Sequence, residues 1–534
     1  MSLKPTNIPL TAKEHDRVKC GVCTGCGCAC GYIAYLKGSE LTDLYGHPHD
    51  PNGMGSFCTK GLALIQEATR NPLRVRQALL KEGETFTEIN AEGVLDWIKK
   101  RKGKPFVFLD RHTDLRDLSS AYRLTDKVYS DSLYLPFRAT TLRPQEWREQ
   151  RVILALECEI VFSEVMATRW LVDAFEKSAY IVAVSSRYGT TSAKASRRLL
   201  LKPPLVVKFL EDIALSLEGE RVDSPYGEEV QKLARAFSII ESSLILIGET
   251  LLRSPWRESI LSSLQRIRQR TRVNYSIVGN ISPFPTKELA DFLEDFKKAE
   301  WLLLTGNPAM YMGDGEIEIL KQKPVLSLSL FPNLTANSSQ LVVPAKLFPE
   351  REFFPFRNGF GFVAHSPAVL TPPPSSFSLH ELLDSTLGVG WDEESLLRKL
   401  GLKAEDVMET EGGADIDMPY IEELESYSKE APQEEGVFLV CDNTLVDELG
   451  HWNPWTHDIE REQFAYMNER TRKRLGAEEV IEIRGAKLKV KLNSNIADDV
   501  VFVPSSYEES QPFDPGVRIG RLMKNPHLRI ERFL

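Results

Sequence analysis

The chain has 534 residues, of which 27% are charged and 42% are hydrophobic, and its formal net charge is -10. This length exceeds what one hydrophobic core normally organises, so we expect three or four domains. The acidic balance argues against nucleic acid as the main partner. Residues 1–10 contain no apolar signal segment and no later run has membrane length, so we expect a cytoplasmic protein without direct membrane insertion.

Cysteines are concentrated near the start of the chain. Four of them have the spacing C-x2-C-x3-C-x27-C: Cys23, Cys26, Cys30 and Cys58. Three thiolates on a tight, Gly-rich turn and a fourth brought back by a later loop suit a cubane iron-sulfur cluster, because each of its irons needs one sulfur ligand. Cys20 and Cys28 are then not needed as cluster ligands. The sequence therefore predicts a redox protein with one 4Fe-4S cluster.

Other uses of these cysteines fit the pattern less well. A disulfide framework would need an oxidising compartment, which the missing signal segment does not support. A structural zinc site is the closer rival, but such sites usually combine two close cysteine pairs, whereas here a triplet is followed by the lone Cys58. Cys158 and Cys441 lie in apolar runs, so we expect them to be buried as small hydrophobic residues.

The middle of the chain alternates between strand-like and helix-like patterns. Residues 32–46 predict a β-hairpin turning at Lys37 and Gly38, and a short helix is expected over 61–67. Strand-like runs follow at 106–109, 160–162, 180–184, 244–248, 275–278, 301–305 and 325–330. Helix-period stretches separate most of them, including 169–177, 204–217 and 256–270. The alternation predicts an α/β fold with parallel sheets in Rossmann-like lobes. No G-x-G-x-x-G follows these strands, so a simple NAD or FAD site is not supported.

The end of the chain changes character twice. Residues 378–435 are acidic and helix-prone and are expected to form a connector with exposed helices. Beyond them, short alternating strands at 437–440, 479–483, 487–492 and 500–503 predict a compact β-rich domain. The expected units are a cluster domain at 1–72, a discontinuous lobe at 73–137 and 240–377, a second lobe at 138–239, the connector at 378–435 and the C-terminal domain at 436–534.

The N-terminal motifs resemble those of a known family. The cysteine run, Gly46-His47-Pro48, Cys58-Thr59-Lys60-Gly61 and Asn71-Pro72 are similar to the first domain of molybdopterin oxidoreductases. That family includes formate dehydrogenases, periplasmic nitrate reductases and the related large iron-sulfur subunit of complex I. The resemblance implies an iron-sulfur domain, Rossmann-like lobes and a C-terminal β-barrel of the double-psi type. It also implies that Lys60, the candidate catalytic residue, lies between cluster and pterin, where a buried cation would tune the potential.

Two lobe segments resemble nucleotide-contacting loops of the family. Gly306-Asn307-Pro308 loosely matches its G-x-N-P loop, and Arg187 ends a Ser185-Ser186-Arg187 run in the place of Asp-Pro-Arg. Apart from the resemblance, a loop such as 306–308 after a buried strand can hold phosphate or ribose with backbone N-H groups and an amide. Ordinary turn chemistry is the alternative, since Asn, Gly and Pro are the usual turn residues.

The C-terminal domain carries a third matching segment. His451, Trp452, Asn453 and Thr456 look like the opening of the family's pterin-dinucleotide-binding barrel. These residues would offer ring donors, an amide and a hydroxyl to a polar heterocycle. Here too, a turn without a ligand is the alternative.

The resemblance implies a bis-molybdopterin guanine dinucleotide carrying Mo or W, with electrons leaving through the cluster to partner iron-sulfur or flavin subunits of a multisubunit complex. The chain departs from the family where a protein ligand to the metal is expected, because residues 129–149 contain no cysteine. Ser130, Asp131 and Ser132 are candidate oxygen ligands there. Two hypotheses follow. The chain is either a formate dehydrogenase-like oxidoreductase or a Mo-free relay and scaffold subunit similar to that of complex I.

Overall fold

The computed structural model describes residues 14–50, 53–83, 85–282, 284–357, 362–388, 397–398, 402–403, 405, 414–428, 432–513 and 515–534. Gly412 and Gly413, the centre of the expected connector, lie outside this part of the chain. None of the helices it contains has the length and apolar character needed to cross a bilayer.

The N-terminal domain is a three-stranded antiparallel sheet followed by a helix. Its strands are Arg17–Val22, Gly31–Lys37 and Glu40–Gly46, and the helix is Thr59–Arg70. The second and third strands form the hairpin that the alternating pattern predicts. Gly38 has a φ of 62° at its tip, a left-handed conformation that glycine adopts without a steric penalty.

The first lobe is built on a seven-stranded sheet. In sheet order its strands are Thr85–Ile89, Ala78–Glu82, Leu341–Pro344, Val325–Ser329, Leu302–Thr305, Phe106–Leu109 and Val128–Ser130. All but the first two run parallel. The helices of this lobe are Ala91–Lys99, Leu115–Leu124, Leu289–Asp295, Asp314–Lys321, Leu334–Ser338 and Leu379–Leu387. Most strand residues are apolar and fully buried, as expected for a sheet covered on both faces.

The second lobe is a five-stranded parallel sheet. In sheet order its strands are Arg197–Leu200, Tyr180–Ser185, Val152–Leu156, Ser243–Gly248 and Asn274–Val278. Its helices are Ile160–Ser163, Thr168–Glu176, Thr190–Ala193, Pro203–Leu217, Gly227–Ile239, Glu249–Leu252 and Arg257–Arg270. The lobes are therefore Rossmann-like, as the alternation of strands and helices predicts.

Two expectations for this lobe are wrong. The first lobe does not resume at residue 240, because Ser243–Gly248 pairs with Val152–Leu156 and Asn274–Val278 pairs beside it. The run at 160–162 is helical, and the strand is formed by the apolar residues before it. Glu157, with a φ of 42°, ends that strand and separates the two apolar runs.

The C-terminal domain is a curled six-stranded sheet of mixed direction. In sheet order its strands are Val480–Ile483, Ala486–Leu492, Phe464–Met467, Val500–Pro504, Phe438–Asp442 and Ile530–Arg532. Parallel and antiparallel pairs alternate across most of it. The helices here are Pro454–His457, Glu469–Leu475 and Ile519–Leu522. Fold class and β-rich C-terminal domain thus agree with the sequence-based prediction.

Short elements connect these units. Two small sheets are Leu133–Tyr134 with Ile281–Ser282, and Phe356–Arg357 with Phe362–Val363 and Ala414–Asp415. The 3-10 helices are Pro144–Glu149, Val165–Ala167, Phe296–Lys298, Pro308–Tyr311, Phe348–Glu350, Ile421–Glu423 and Leu449–Trp452.

Candidate functional site

The cysteines of the N-terminal domain converge around one turn and one helix start. The turn lies between Arg17–Val22 and Gly31–Lys37, where the Cys23 amide donates to the Cys30 carbonyl at 2.8 Å. The Gly25 amide donates to Cys23 Sγ at 3.3 Å, and the Gly61 amide donates to Cys58 Sγ at 3.4 Å. N-H groups directed at sulfur stabilise thiolates and tune the potential of iron-sulfur clusters.

Gly61 brings the helix against the turn. A Cβ atom added at Gly61 would lie 3.2 Å from Cys23 Sγ and 2.8 Å from the Phe57 ring, closer than a side chain can be accommodated without movement. Only a residue without a side chain lets Cys58 and Cys23 approach in this way. Burial raises the pKa of the Cys58 thiol to about 11, so binding a metal here would release protons.

The two cysteines outside the predicted ligand set differ in position. Cys20 is exposed on the first strand, whereas Cys28 is buried and its thiol hydrogen-bonds those of both Cys26 and Cys30. Cys28 therefore adjoins the predicted cluster although its spacing leaves it spare. Cys158 and Cys441 are buried, as their apolar surroundings predict.

Four thiolates in one domain are a donor set for either a single zinc ion or a cubane cluster. Within the described ranges, no three cysteine sulfurs all lie within 4.8 Å of one another. Four thiolates around one tetrahedral zinc would be about 3.8 Å apart, given Zn-S bonds of about 2.3 Å. The sulfur positions in this structure therefore do not match a single tetrahedral zinc.

Lys60 connects this cysteine site to the rest of the molecule. Its Nζ lies 2.8 Å from Asp447 Oδ2, and Arg111 of the first lobe forms an ion pair with the same oxygen. The Gly450 amide donates to Asp447 Oδ1 at 2.9 Å. Burial alone would raise the pKa of Asp447, but the two cations hold it well below its ordinary value. One carboxylate therefore joins the cluster domain, the first lobe and the C-terminal domain.

A large cavity lies on the far side of this ion pair. It is bounded by the carboxyl ends of the first lobe's strands, which is where ligands bind in open α/β sheets. Its lining comes from both lobes and the C-terminal domain and includes Asp110, Arg111, Asp131, Glu249, Arg253, Asn280, Gly306, Asn307, Asn333, Asn443, Asp447, Glu448, Ser505, Ser506 and Arg529. A smaller chamber, lined by Cys26, Lys60, Arg111 and Asn443 among others, lies between this cavity and the cysteines.

The predicted loop of the first lobe lies partly at this cavity. Gly306 and Asn307 line it, and Pro308 begins the 3-10 helix Pro308–Tyr311 behind them. Asn307 is already engaged, since its Nδ2 donates to Glu508 at 2.8 Å and its Oδ1 accepts from the Thr335 hydroxyl at 2.9 Å. Asn307 therefore ties the first lobe to the C-terminal domain, and the loop backbone remains available at the cavity wall.

Arg187 has a partner in the C-terminal domain. Its Nη2 donates to Asp442 Oδ2 at 2.7 Å and to the Asn443 carbonyl at 3.3 Å. Its guanidinium lies 4.1 Å from the centre of the Phe502 ring. Arg187 is not among the residues that line the large cavity. The geometry gives it a role in holding the second lobe against the C-terminal domain.

The segment from His451 to Thr456 lies behind the cavity wall. His451 Nε2 is 3.1 Å from Ser506 Oγ, and burial lowers the pKa of this histidine to about 4. Trp452 stacks on Phe331 with the rings 5° from parallel. The Trp452 carbonyl accepts from Asn71, the Thr456 hydroxyl donates to the Gly450 carbonyl, and Asn453 is buried. These predicted pterin contacts support the wall, which is itself formed by Asp447, Glu448, Ser505 and Ser506.

Among the three candidate metal ligands, Asp131 faces the large cavity. Its Oδ1 is buried and has no hydrogen-bond partner among the described residues. Burial first, and then the nearby Asp110, raise the pKa of Asp131 to about 7. Ser130 and Ser132 instead line a separate small pocket, where Ser132 Oγ donates to Asn280 at 3.1 Å. Of these three candidate ligands, only Asp131 lines the large cavity.

Several cavity residues were not predicted from the sequence. Asp110 and Arg111 directly follow the buried strand Phe106–Leu109, and Asp447 follows Phe438–Asp442 by a few residues. A charged residue just after a buried strand is the signal that could have indicated them. Glu249 directly follows the buried strand Ser243–Gly248 and carries the same signal, whereas the placement of Arg253 and Arg529 depends on how the three units pack.

No protein-family model matches this sequence, and no curated protein matches it either. Among solved structures, the chain is similar to acetylene hydratase from Pelobacter acetylenicus, with a TM-score of 0.64 over 96% of each chain and 14% sequence identity. At this identity the likeness shows the fold alone. The protein thus has a mixed α/β fold of the molybdopterin-enzyme type.

Proposed function

We propose that this chain is an iron-sulfur oxidoreductase whose large cavity holds a pterin cofactor with Mo or W. Its 4Fe-4S cluster is bound by Cys23, Cys26, Cys30 and Cys58. The cofactor, when bound, supplies the redox chemistry on the substrate. The chain binds and orients it, excludes bulk water and carries electrons to or from partner iron-sulfur or flavin subunits. Within this class we favour a formate dehydrogenase-like enzyme.

The observation that carries this proposal is the placement of Lys60. Lys60 lies two residues after Cys58 and lines the small chamber together with Cys26. Its ammonium group forms an ion pair with Asp447 in the wall of the large cavity. A buried cation between a thiolate-bound cluster and a second redox site lowers the energy of an electron on either one.

The cavity residues offer donor chemistry that suits a metal-bound pterin. Amide, hydroxyl and guanidinium groups of Asn280, Asn333, Ser505 and Arg529 line the walls. Asp131 offers a buried carboxylate oxygen without a partner in the described part of the chain. Carboxylate is a suitable protein ligand for an oxophilic metal. Asp131 would therefore hold the metal in place of the missing cysteine.

Metal analysis of anaerobically purified protein tests the proposal. We expect about four irons and about one atom of Mo or W per chain, as one cubane and one pterin site require. Iron near four with neither Mo nor W would reject the enzyme. Zinc without the visible absorption of a cluster would reject both the cluster and the enzyme.

The second candidate function is a Mo-free relay and scaffold subunit, similar to the large iron-sulfur subunit of complex I. It is favoured by one observation, the absence of a cysteine between residues 129 and 149. In that case the cluster alone would exchange electrons with partner subunits. The same metal analysis distinguishes the two functions, since only the enzyme contains Mo or W.

A further inference from the structure

We propose that the chain binds a single pterin dinucleotide, at the first lobe, because its own side chains close the equivalent crevice of the second lobe. This inference rests on the proposed function and deepens it. It departs from the pair of dinucleotides that the sequence resemblance implies.

The two lobes offer topologically equivalent positions for a ligand. In each sheet the chain order reverses between two neighbouring parallel strands, and ligands bind outside the carboxyl ends of such a pair. In the first lobe this pair is Phe106–Leu109 and Leu302–Thr305. In the second lobe it is Val152–Leu156 and Ser243–Gly248. The two crevices can therefore be compared directly.

The crevice of the first lobe is open. The residues that follow its two strands, Asp110 and Gly306, both line the large cavity. Gly306 has a φ of 67°, and a Cβ atom added there would lie 2.6 Å from the Asp110 Cβ, so these two loops are in contact as well. The Asp110 amide is held by the Thr305 hydroxyl at 2.8 Å. The strand ends are thus fixed to each other while the space beyond them stays free.

The crevice of the second lobe is filled at the same point. A Cβ atom added at Gly248 would lie 2.0 Å from the Glu157 carbonyl oxygen, so the two chain segments are in direct contact. The Glu157 side chain is only 5% exposed and turns back to accept from the Ser186 amide at 2.7 Å. The Glu157 carboxyl group therefore uses the Ser186 N-H group, which a ligand at these strand ends would otherwise bind.

A second carboxylate occupies the next position along the crevice. Glu159 is 8% exposed and accepts from the Thr191 amide at 3.3 Å and the Thr190 hydroxyl at 3.2 Å. A Cβ at Gly189 would lie 2.4 Å from this carboxyl group. Glu159 therefore takes the donors that a phosphate would need, and it presents negative charge to a negatively charged diphosphate.

The C-terminal domain covers what is left of this crevice. The Ala497 amide donates to the Ser186 carbonyl at 2.8 Å, and Arg187 is paired with Asp442 as described above. At the first lobe the same domain leaves a gap and contributes Arg529 to the cavity lining. The Nη1 of Arg529 is buried and has no hydrogen-bond partner among the described residues, so it is free to bind a phosphate.

The ratio of nucleotide to metal in the holoprotein tests the inference. Acid treatment of anaerobically isolated protein releases the nucleotide as a monophosphate, which is counted by chromatography against Mo plus W. We expect one nucleotide per metal atom, independent of how fully the protein is loaded. Two per metal atom would overturn the single-site inference and leave the proposed function intact. Absence of both metal and nucleotide would overturn the proposed function itself.

A matched pair of variants assigns the site. Arg529→Gln removes the cation that the C-terminal domain places at the first-lobe cavity and should lower nucleotide content per chain several-fold. Glu157→Gln keeps the size and shape of this buried side chain and should leave the nucleotide content unchanged. The inference is overturned if Glu157→Gln removes nucleotide while Arg529→Gln, shown to be folded by circular dichroism, retains it.

Discussion

Lys60 Nζ and Asp447 Oδ2 lie 2.8 Å apart, although 387 positions separate these two residues in the chain numbering. The lysine belongs to the helix that follows Cys58, and the aspartate belongs to the wall of the large cavity. Arg111 shares the same carboxylate oxygen. The ion pair therefore connects the proposed electron carrier with the proposed site of chemistry.

Removing the charge of Lys60 should change the potential of the cluster. In Lys60→Met we expect four irons to be retained and the reduction potential to fall on the order of tens of millivolts, because a nearby cation favours the reduced cluster. An electron paramagnetic resonance titration measures this shift. Lys60→Arg keeps the charge and should stay near the wild-type value. Equal potentials in all three proteins would contradict a tuning role.

The cysteine register predicts unequal effects of two substitutions. Cys58→Ser should lose most of the iron and the visible absorption, because Cys58 supplies one of the four ligands. Cys28→Ser should keep both, even though Cys28 lies between Cys26 and Cys30. Iron content per chain after anaerobic purification measures the difference. Equal loss in both variants would point to a ligand set that includes Cys28.

A buried ion pair should hold the segment after the helix Thr59–Arg70 to the first lobe. Arg74 binds both carboxylate oxygens of Glu350, at 2.5 and 2.6 Å, and both side chains are at most 1% exposed. Arg74→Met leaves Glu350 buried and should cost about 3–5 kcal/mol. Thermal unfolding measures the loss of stability.

An exposed pair provides the control for this substitution. Arg272 and Glu241 lie 2.7 Å apart with 83% and 75% of their side chains exposed. Solvent screens such a pair, so Arg272→Met should leave the melting temperature nearly unchanged. Similar losses in the two variants would contradict the importance of burial.

The buried carboxyl group of Glu157 in the second lobe predicts a pH dependence of stability. Burial raises the pKa of Glu157 to about 7, whereas the unfolded group titrates near its ordinary value of about 4.3. Between these values the folded state binds the proton more tightly. Stability should therefore fall as pH rises from about 4 to 7, by about 3 kcal/mol. The difference in melting temperature between wild type and Glu157→Gln should grow over this range, and a constant difference would contradict the assignment.

The elements with strong local patterns could be predicted from the sequence. The hairpin at 32–46 and most of the lobe strands were found because alternation and apolar runs are properties of neighbouring residues. The run at 160–162 is wrongly predicted as a strand because two apolar runs adjoin there, and only the folded chain shows that Glu157 separates strand from helix. Ser243–Gly248 was placed in the wrong lobe because an apolar strand does not indicate which sheet it will join.

The candidate site shows the same division. A ligand set could be predicted from the sequence for the cysteines, because their spacing along the chain is itself the signal. These residues are Cys23, Cys26, Cys30 and Cys58. Arg187 and the segment from His451 to Thr456 could not be distinguished from true cavity residues, since a turn sequence does not indicate which side of a wall it will face. Asp131 was one of three equal candidates until the fold gave it alone access to the large cavity.

Electron paramagnetic resonance of the anaerobic protein, poised stepwise in potential, tests the central claim most directly. If Lys60 bridges the cluster and a Mo or W site, a signal from that metal should appear and should split or broaden when the cluster is reduced. A reduced-cluster signal in protein that shows no Mo or W signal at any potential would contradict the account. So would a Mo or W signal that does not change when the cluster is reduced.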